Sequence, residues 1–218
     1  MILTVGNIKG GVGKTTLAVN LAVERGKNKE DSVVLIDADD QSTAMLFTGI
    51  REQGAPGISH YTCVSVHGAQ VRSQGKSLAE KFDHTIIDCG GRDTEAFRAA
   101  LTICDVLVAP LTPRSFDFWT ITQLVRLLQE VEAVRDPPKA YALVNMADPS
   151  GTDNQAMIEA LTEYPQIEVL QQVLVRRKAW PNAASKGQAV FEHVPKDKKA
   201  ISEFYSFSDM IFNTKILI

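Results

Sequence analysis

One stretch decides the fold of this chain: Lys9-Gly10-Gly11-Val12-Gly13-Lys14-Thr15-Thr16. Its three glycines let the backbone turn tightly around an anion, with the backbone N–H groups pointing inward. Lys14 adds a fixed positive charge, and the Thr15 hydroxyl is a suitable ligand for Mg²⁺. The stretch therefore predicts a binding site for the phosphates of a nucleoside triphosphate.

The residues on either side of the glycine-rich stretch support this interpretation. Residues 2–6 form an apolar run typical of a buried strand, and residues 16–22 follow with the apolar face of a helix. The start of such a helix directs the positive end of its dipole at the phosphates. A glycine-rich turn without function is the alternative, and the strand–loop–helix context disfavours it.

Length and composition predict a single domain over residues 1–218. The chain has 44% hydrophobic residues, enough to bury a full core. It has no long uncharged apolar run and no basic stretch ahead of an apolar one at its start, so we expect neither a membrane span nor a signal peptide. Cys63, Cys89 and Cys104 are too few and too scattered for a disulfide scaffold, so we expect reduced thiols and a cytoplasmic location.

Strand and helix patterns alternate along the chain. Strands are predicted at residues 33–37, 61–66, 85–88, 106–109, 141–145 and 169–175. Helices are predicted to end near Phe82, to cover 94–103, 115–134 and 154–164, and to begin again near Lys198, with a loop at 53–57. The alternation predicts an α/β fold of the P-loop NTPase type, with a mostly parallel twisted sheet between two layers of helices.

Two predicted strands end in acidic residues, where ligands bind in folds of this kind. The first runs into Asp37-Ala38-Asp39-Asp40-Gln41, and another ends at Asp88 before Gly90-Gly91. Asp88 would hold Mg²⁺ beside Thr15, although a carboxylate that only caps the strand end is the simpler alternative. The glycine pair lets the backbone approach a γ-phosphate and move when that phosphate leaves.

The loop departs from the usual pattern in having Ile8 in place of the first glycine and an additional Lys9. In this it resembles the deviant Walker A loop of the ParA/MinD family of ATPases, and is most similar to the small ParF-like ParA proteins without an added DNA-binding domain. The resemblance implies that Lys9 reaches across a nucleotide-sandwiched homodimer to the partner's phosphates. An ordinary solvated lysine is the alternative.

The second-strand motif of that family is Asp-x-Asp-Pro-Gln. The resemblance implies that Asp39 orients the attacking water, so that Lys9, Lys14 and Asp39 form the catalytic set, and that Asp37 supports the outer shell of the metal. Asp40 stands where the family has proline, which removes a rigid turn and adds an exposed carboxylate.

Three later features resemble the family more loosely. The segment Pro110 to Pro113 matches a Pro-x-x-Pro element beside the nucleotide, and residues 176–192 match a late segment ending Gly-x-x-Val-Phe-Glu. Asn145 ends a strand where family members contact adenine. It could equally cap the next turn.

Basic residues are concentrated in the last part of the chain. The formal net charge of −3 argues against a globally basic nucleic-acid binder. From residue 171 onward, however, eight basic residues stand against four acidic ones. A solvated helix face is the simpler explanation; with the resemblance, we expect non-specific DNA binding through Arg177, Lys196, Lys198 and Lys199.

The implied function is that of a partition ATPase. ATP and Mg²⁺ would close the homodimer on DNA, slow hydrolysis to ADP would reset it, and a centromere-binding partner of the ParB type would stimulate turnover on the nucleoid. A MinD-like membrane-cycling ATPase would use the apolar stripe of residues 201–211 as a membrane anchor, but we expect that stripe to pack on the core and no stable membrane association. A metabolic enzyme on the same fold, an amidoligase or an iron–sulfur reductase, is the remaining alternative.

Overall fold

The structure is a computed structural model, and it describes residues 1–28, 31–54, 60–92, 94–113, 117–149 and 152–213. Its strands are β1 (Ile2–Val5), β2 (Val33–Ala38), β3 (Thr62–Ser65), β4 (His84–Cys89), β5 (Val106–Leu111), β6 (Lys139–Ala147), β7 (Glu168–Val169) and β8 (Leu174–Val175). Its helices are α1 (Lys14–Gly26), α2 (Thr43–Gly54), α3 (Gln70–Ala79), α4 (Glu95–Leu101), α5 (Asp117–Glu132), α6 (Thr152–Leu161), α7 (Ala179–Ala184) and α8 (Lys198–Phe212).

The strands form one parallel sheet in the order β3-β2-β4-β1-β5-β6-β7, and β8 also pairs with β6. The strand that leads into the glycine-rich loop, β1, therefore lies between β4 and β5. Asp88 is the register partner of Val5 on one side and of Asp37 on the other. The predicted parallel α/β sheet is confirmed, and its topology brings both strand-end acids next to the loop.

Both faces of the sheet are covered because successive strand residues point to opposite sides. In β2, Val34 and Ile36 belong to the core beneath α3 to α6, whereas Leu35 belongs to the core beneath α1, α2 and α8. Each fully buried aliphatic side chain contributes about 1.5–3 kcal/mol to folding, so continuous apolar strands favour this double-sided burial.

The last helix covers the sheet, as predicted for the apolar stripe of residues 201–211. Phe204, Phe207 and Ile211 in α8 are completely buried in the same core as α1, whereas Tyr205 and Met210 are exposed. In the portion of the chain that the structure describes, no helix is long and apolar enough to cross a membrane.

The structure differs from the predictions in two regions and contains two helices that were not predicted. Residues 43–54 form α2, an unpredicted helix whose buried residues Ala44, Phe47, Thr48 and Arg51 share one face, so the predicted loop begins only after it, in residues outside the described ranges. The predicted strand 169–175 is two short strands, because β8 pairs with β6 after a register shift. The short helix α7 was not predicted, and residues 115–116 of the predicted helix 115–134 lie outside the described ranges.

A buried ion pair joins α2 to the segment before α8. Arg51, only 4% exposed, donates through both terminal nitrogens to the carboxylate of Glu192, at 2.6 and 2.9 Å. The Lys27 ammonium lies 3.1 Å from the same carboxylate. Burial alone would raise the pKa of Glu192, but the hydrogen bonds from Arg51 and from the Ala189 backbone lower it to about 2.

This pair yields a stability prediction. Glu192→Gln removes the carboxylate that pairs with the buried Arg51 guanidinium, and breaking such a pair costs about 3–5 kcal/mol. The matched control is Glu168→Gln, which removes an exposed ion pair with Lys139 and should cost less than about 1 kcal/mol. Urea unfolding monitored by circular dichroism measures both; equal destabilisation of the two variants would contradict a stabilising role for the buried pair.

The same pair makes stability depend on pH. The folded-state pKa of Glu192 lies below its ordinary value of 4.5, so its contribution is complete above about pH 4.5 and is lost as the pH falls towards about 2. The difference in free energy of unfolding between wild type and Glu192→Gln should therefore shrink across that window. A difference that stays constant from about pH 6 to about pH 2 would argue against this assignment.

Candidate functional site

The glycine-rich loop joins β1 to α1 and surrounds the Lys14 side chain. Gly11 and Gly13 have φ angles of 73° and 90°, a left-handed conformation that favours glycine. The Lys14 ammonium is buried at the start of α1 and donates to the Lys9 carbonyl at 2.6 Å. Burial lowers the pKa of Lys14, and the charges of Asp88 and Asp39 oppose that effect. The loop thus holds the Lys14 ammonium in a position where it could bind an anion.

Asn7 fixes the start of this loop, a role that the sequence analysis missed. It is completely buried, and its amide donates to the Pro110 carbonyl at the end of β5 at 2.7 Å. Its carbonyl oxygen accepts from the backbone N–H of Lys9 at 3.3 Å. The only sequence signal for Asn7 was a polar residue directly after a buried strand.

Asp88 lies at the centre of the sheet without a hydrogen-bond partner for either carboxylate oxygen among the described residues. Burial raises its pKa to about 8, with Asp37 and Asp39 adding to the effect and Thr15 and Lys14 opposing it. A buried carboxylate that lacks a partner is costly unless a cation or a proton neutralises it. Asp88 and the neighbouring Thr15 hydroxyl are therefore the groups that would hold Mg²⁺, whose charge would stabilise the ionised carboxylate.

The carboxylate of Asp37, by contrast, is already occupied. Its two oxygens accept from the backbone N–H groups of Asp39 at 3.2 Å and of Met45 at 2.9 Å, so it orders the turn and the start of α2. Burial is the main cause that raises its pKa. These contacts favour an indirect influence on a metal over direct coordination.

The turn that follows β2 presents Asp39 next to the glycine pair after β4. One Asp39 oxygen accepts from the Gln41 backbone at 3.1 Å, and a Cβ placed on Gly90 would lie 3.2 Å from that oxygen. Asp40 was expected to be solvent-exposed and is 88% exposed, and its carboxylate also lies 3.5 Å from the His67 ring. At the position where the family has proline, this chain therefore has Asp40, which forms a surface ion pair with His67 when His67 is protonated.

A cavity of about 620 Å³ lies in front of these groups. The lining residues include Gly10, Gly11, Asp39, Gly90, Gly91 and Arg92. A Cβ on Gly91 would lie 2.6 Å from the Gly10 Cα, so the turn after β4 can press on the phosphate loop only because it carries glycine there. The cavity brings together the predicted phosphate loop, Asp39 and the glycine pair.

A second, more apolar cavity of about 240 Å³ adjoins Gly13 on the other side of the loop. Its lining includes Asn145, Arg177 and Trp180. The Asn145 amide is buried and donates to the Val12 carbonyl at 2.7 Å, so this side chain is joined to the phosphate loop. The predicted polar residue thus lies where a base attached to loop-bound phosphates could reach.

The four predicted DNA-contacting residues divide into two groups. Lys196, Lys198 and Lys199 lie at or just before the start of α8, with the Lys196 ammonium also donating to the Phe191 carbonyl. Arg177 instead lines the second cavity and pairs with Glu203 at 2.5 Å, which raises its pKa further. The ion pair holds Arg177 against α8 at Glu203, four residues beyond Lys199.

Comparison with known proteins supports these features. The family described as the CobQ/CobB/MinD/ParA nucleotide binding domain matches residues 3–190. The chain is 29% identical over 205 residues to the maintenance of carboxysome distribution protein A of Halothiobacillus neapolitanus, covering 92% of this chain and 91% of that protein. It is 26% identical over 220 residues to the chromosome-partitioning ATPase Soj of Thermus thermophilus, covering 88% of each.

Among solved structures, the fold is similar to that of a Cyanothece McdA variant in complex with ATP. The TM-score is 0.80 at 18% identity, and the match covers 100% of this chain and 98% of that one. The predicted fold and the predicted nucleotide-binding ATPase activity are confirmed at the level of the family, and solved structures of similar fold include one with ATP and one with ADP and Mg²⁺ bound. The chain belongs to the CobQ/CobB/MinD/ParA nucleotide-binding family.

Proposed function

We propose that this ATPase is a ParA-like partition protein, which forms a sandwich homodimer with ATP, binds DNA without sequence preference and is reset by slow hydrolysis. The observation that carries the proposal is the position of Lys9, whose carbonyl accepts from the Lys14 ammonium at 2.6 Å. This contact supports the proposal that residue 9 borders the phosphate site, where a second lysine would serve a neighbouring subunit.

The nucleotide itself would be divided between the two cavities. Residues 9 to 16 would hold the phosphates, and the base would enter the smaller cavity beside Asn145. Asp88 and Thr15 would hold Mg²⁺, which supplies charge neutralisation between the phosphates when it is bound. Asp37 would act through the turn that it orders, and Asp39 would orient the attacking water beside Gly90.

DNA binding would use the lysines at the start of α8. Asp197 caps this helix by accepting from the backbone N–H groups of residues 199 and 200, at 3.1 and 3.0 Å. Lysines in a first helical turn oppose the helix dipole, so helix stability gains nothing from Lys198 and Lys199 there. The same positive end, with added cations, suits phosphate groups, and a dimer would double the surface.

The cargo is proposed to be a plasmid or a chromosome, with a ParB-type protein as the partner that stimulates turnover on the nucleoid. A second candidate is the positioning of a protein assembly. It is favoured by the 29% identity to a carboxysome distribution protein, over 92% of this chain. The burial of Phe204 and Phe207 in α8 speaks against a MinD-like membrane anchor made from the stripe of residues 201–211.

The first prediction separates the two lysines of the loop. Lys14→Ala should weaken ATP and ADP binding by at least about 100-fold, because it removes charge-assisted contacts to the nucleotide's own phosphates. Lys9→Ala should leave affinity within about threefold but abolish ATP-dependent dimerisation and slow hydrolysis by about 10³-fold. Calorimetry, light scattering and phosphate release measure these, with exposed Lys76→Ala as control. Equal weakening of nucleotide binding in both loop variants would overturn the distinction.

The second prediction concerns Asp39. Asp39→Ala should bind ATP and dimerise but hydrolyse it about 10²- to 10⁴-fold more slowly, because a water-orienting carboxylate acts mainly in the transition state. The neighbouring Asp40→Ala is the matched control and should stay within a few fold of wild type. A single-turnover rate for Asp39→Ala that equals the control would assign the role elsewhere.

The third prediction concerns DNA. Reversing Lys196, Lys198 and Lys199 to Glu should weaken DNA binding equally for all sequences and lower the salt slope by up to about 0.9 for each phosphate that is no longer neutralised, with nucleotide affinity unchanged. The control reverses three exposed cations in or just after α3: Arg72, Lys76 and Lys81. Fluorescence anisotropy with ATP at several salt concentrations compares them, and an equal effect of both reversals would reject this surface.

A further inference from the structure

The larger cavity is lined mostly by acidic and glycine residues. Among the described residues that line it, Asp39, Asp40 and Glu95 are acidic, and Arg92 is the only basic one. The Arg92 guanidinium makes no hydrogen bond or ion pair with any described residue, although carboxylates line the same cavity. Among the described residues, the Arg92 guanidinium is therefore an unpaired cation in the cavity that is proposed to accept the nucleotide phosphates.

The backbone that carries Arg92 is in close contact with the phosphate loop. A Cβ on Gly91 would lie 2.6 Å from the Gly10 Cα and 3.3 Å from the Lys14 ammonium. One residue earlier, Gly90 lies against the carboxylate of Asp39. The turn before Arg92 thus borders both the phosphate lysine and the carboxylate proposed to orient water, and a γ-phosphoryl group bound by these two would lie next to this turn.

We propose that Arg92 is a catalytic residue that binds the γ-phosphoryl oxygens of the nucleotide held by its own subunit. The proposal deepens the proposed function and rests on ATP hydrolysis at this site. In that reaction the water oxygen bonds to the γ-phosphorus, and the bond from that phosphorus to the bridging oxygen breaks. ADP leaves with the electron pair, and the water's proton passes to solvent past Asp39.

Arginine suits this step for a geometric reason. In the transition state, negative charge spreads over three oxygens of the transferring group, and a planar guanidinium can donate to two of them at once. Lys14 acts from the start of α1, so a cation carried by the turn after β4 would contact oxygens that Lys14 does not reach. Gly90 and Gly91 allow the backbone of this turn to change conformation when the γ-phosphate is present.

The experiment compares Arg92→Ala and Arg92→Lys with Arg98→Ala. Arg98 is an exposed arginine of α4 that pairs with Glu130 at 2.5 Å and does not line the cavity. Arg92→Ala should slow single-turnover hydrolysis by about 10²- to 10³-fold, with ADP affinity within about threefold of wild type. It should also fail to retain the transition-state mimic ADP with aluminium fluoride. Arg92→Lys should recover part of the rate, and Arg98→Ala should match wild type.

Three results would overturn the assignment. Hydrolysis by Arg92→Ala within about threefold of wild type would remove Arg92 from the chemistry. Equal reductions of ADP affinity and rate would make it a ground-state or structural contact, and a reduction of DNA affinity alone would place it on the DNA surface. If wild type itself does not turn over, the proposed function fails, and capture of aluminium fluoride by wild type but not by Arg92→Ala still decides the role of Arg92.

Discussion

The molecule is organised around one buried acidic side chain. Asp88 is completely buried at the end of a central strand, and neither of its oxygens has a hydrogen-bond partner among the described residues. Such a carboxylate destabilises the nucleotide-free protein, because burial disfavours its ionised form. A bound divalent cation with its phosphates would remove that penalty. The stability that the nucleotide-free protein loses by burying Asp88 would then contribute to its affinity for the metal and the nucleotide. Lys14, Thr15 and Asp39 are arranged around this centre.

Contacts outside the cavity fix the positions of the helices that carry or follow these groups. Asn20 in α1 donates to the Thr16 carbonyl at 2.7 Å and accepts from the Val190 backbone at 2.8 Å. Arg51 in α2 pairs with Glu192 in the same late segment. Helices α1 and α2 are therefore both hydrogen-bonded to the short segment of residues 190–192. This segment leads into the lysine-rich start of α8. The same residues therefore contact the helices of the nucleotide site and precede the basic surface.

The sequence was informative wherever function depends on neighbouring residues. The loop around Lys14 was predictable, and Asp37 and Asp88 were expected to meet because parallel strands end at one edge. Contacts between distant residues were not predictable. Asn7 reaches Pro110 across 103 residues, and Arg177 pairs with Glu203 26 residues away. The roles of the site residues, the single-domain boundary and the DNA surface stay predictions.

The placement of the two tryptophans has a spectroscopic consequence. Trp180 lines the smaller cavity beside the phosphate loop and packs edge-on against Phe204, whereas Trp119 is 78% exposed. An indole in an apolar pocket and one in water emit at different wavelengths, and only the first would touch an entering base. The chain thus contains an intrinsic optical reporter of base binding, with Trp119 as its internal reference. Replacing Trp119 with Phe would leave a single-tryptophan protein whose emission follows the occupancy of that cavity without any attached dye.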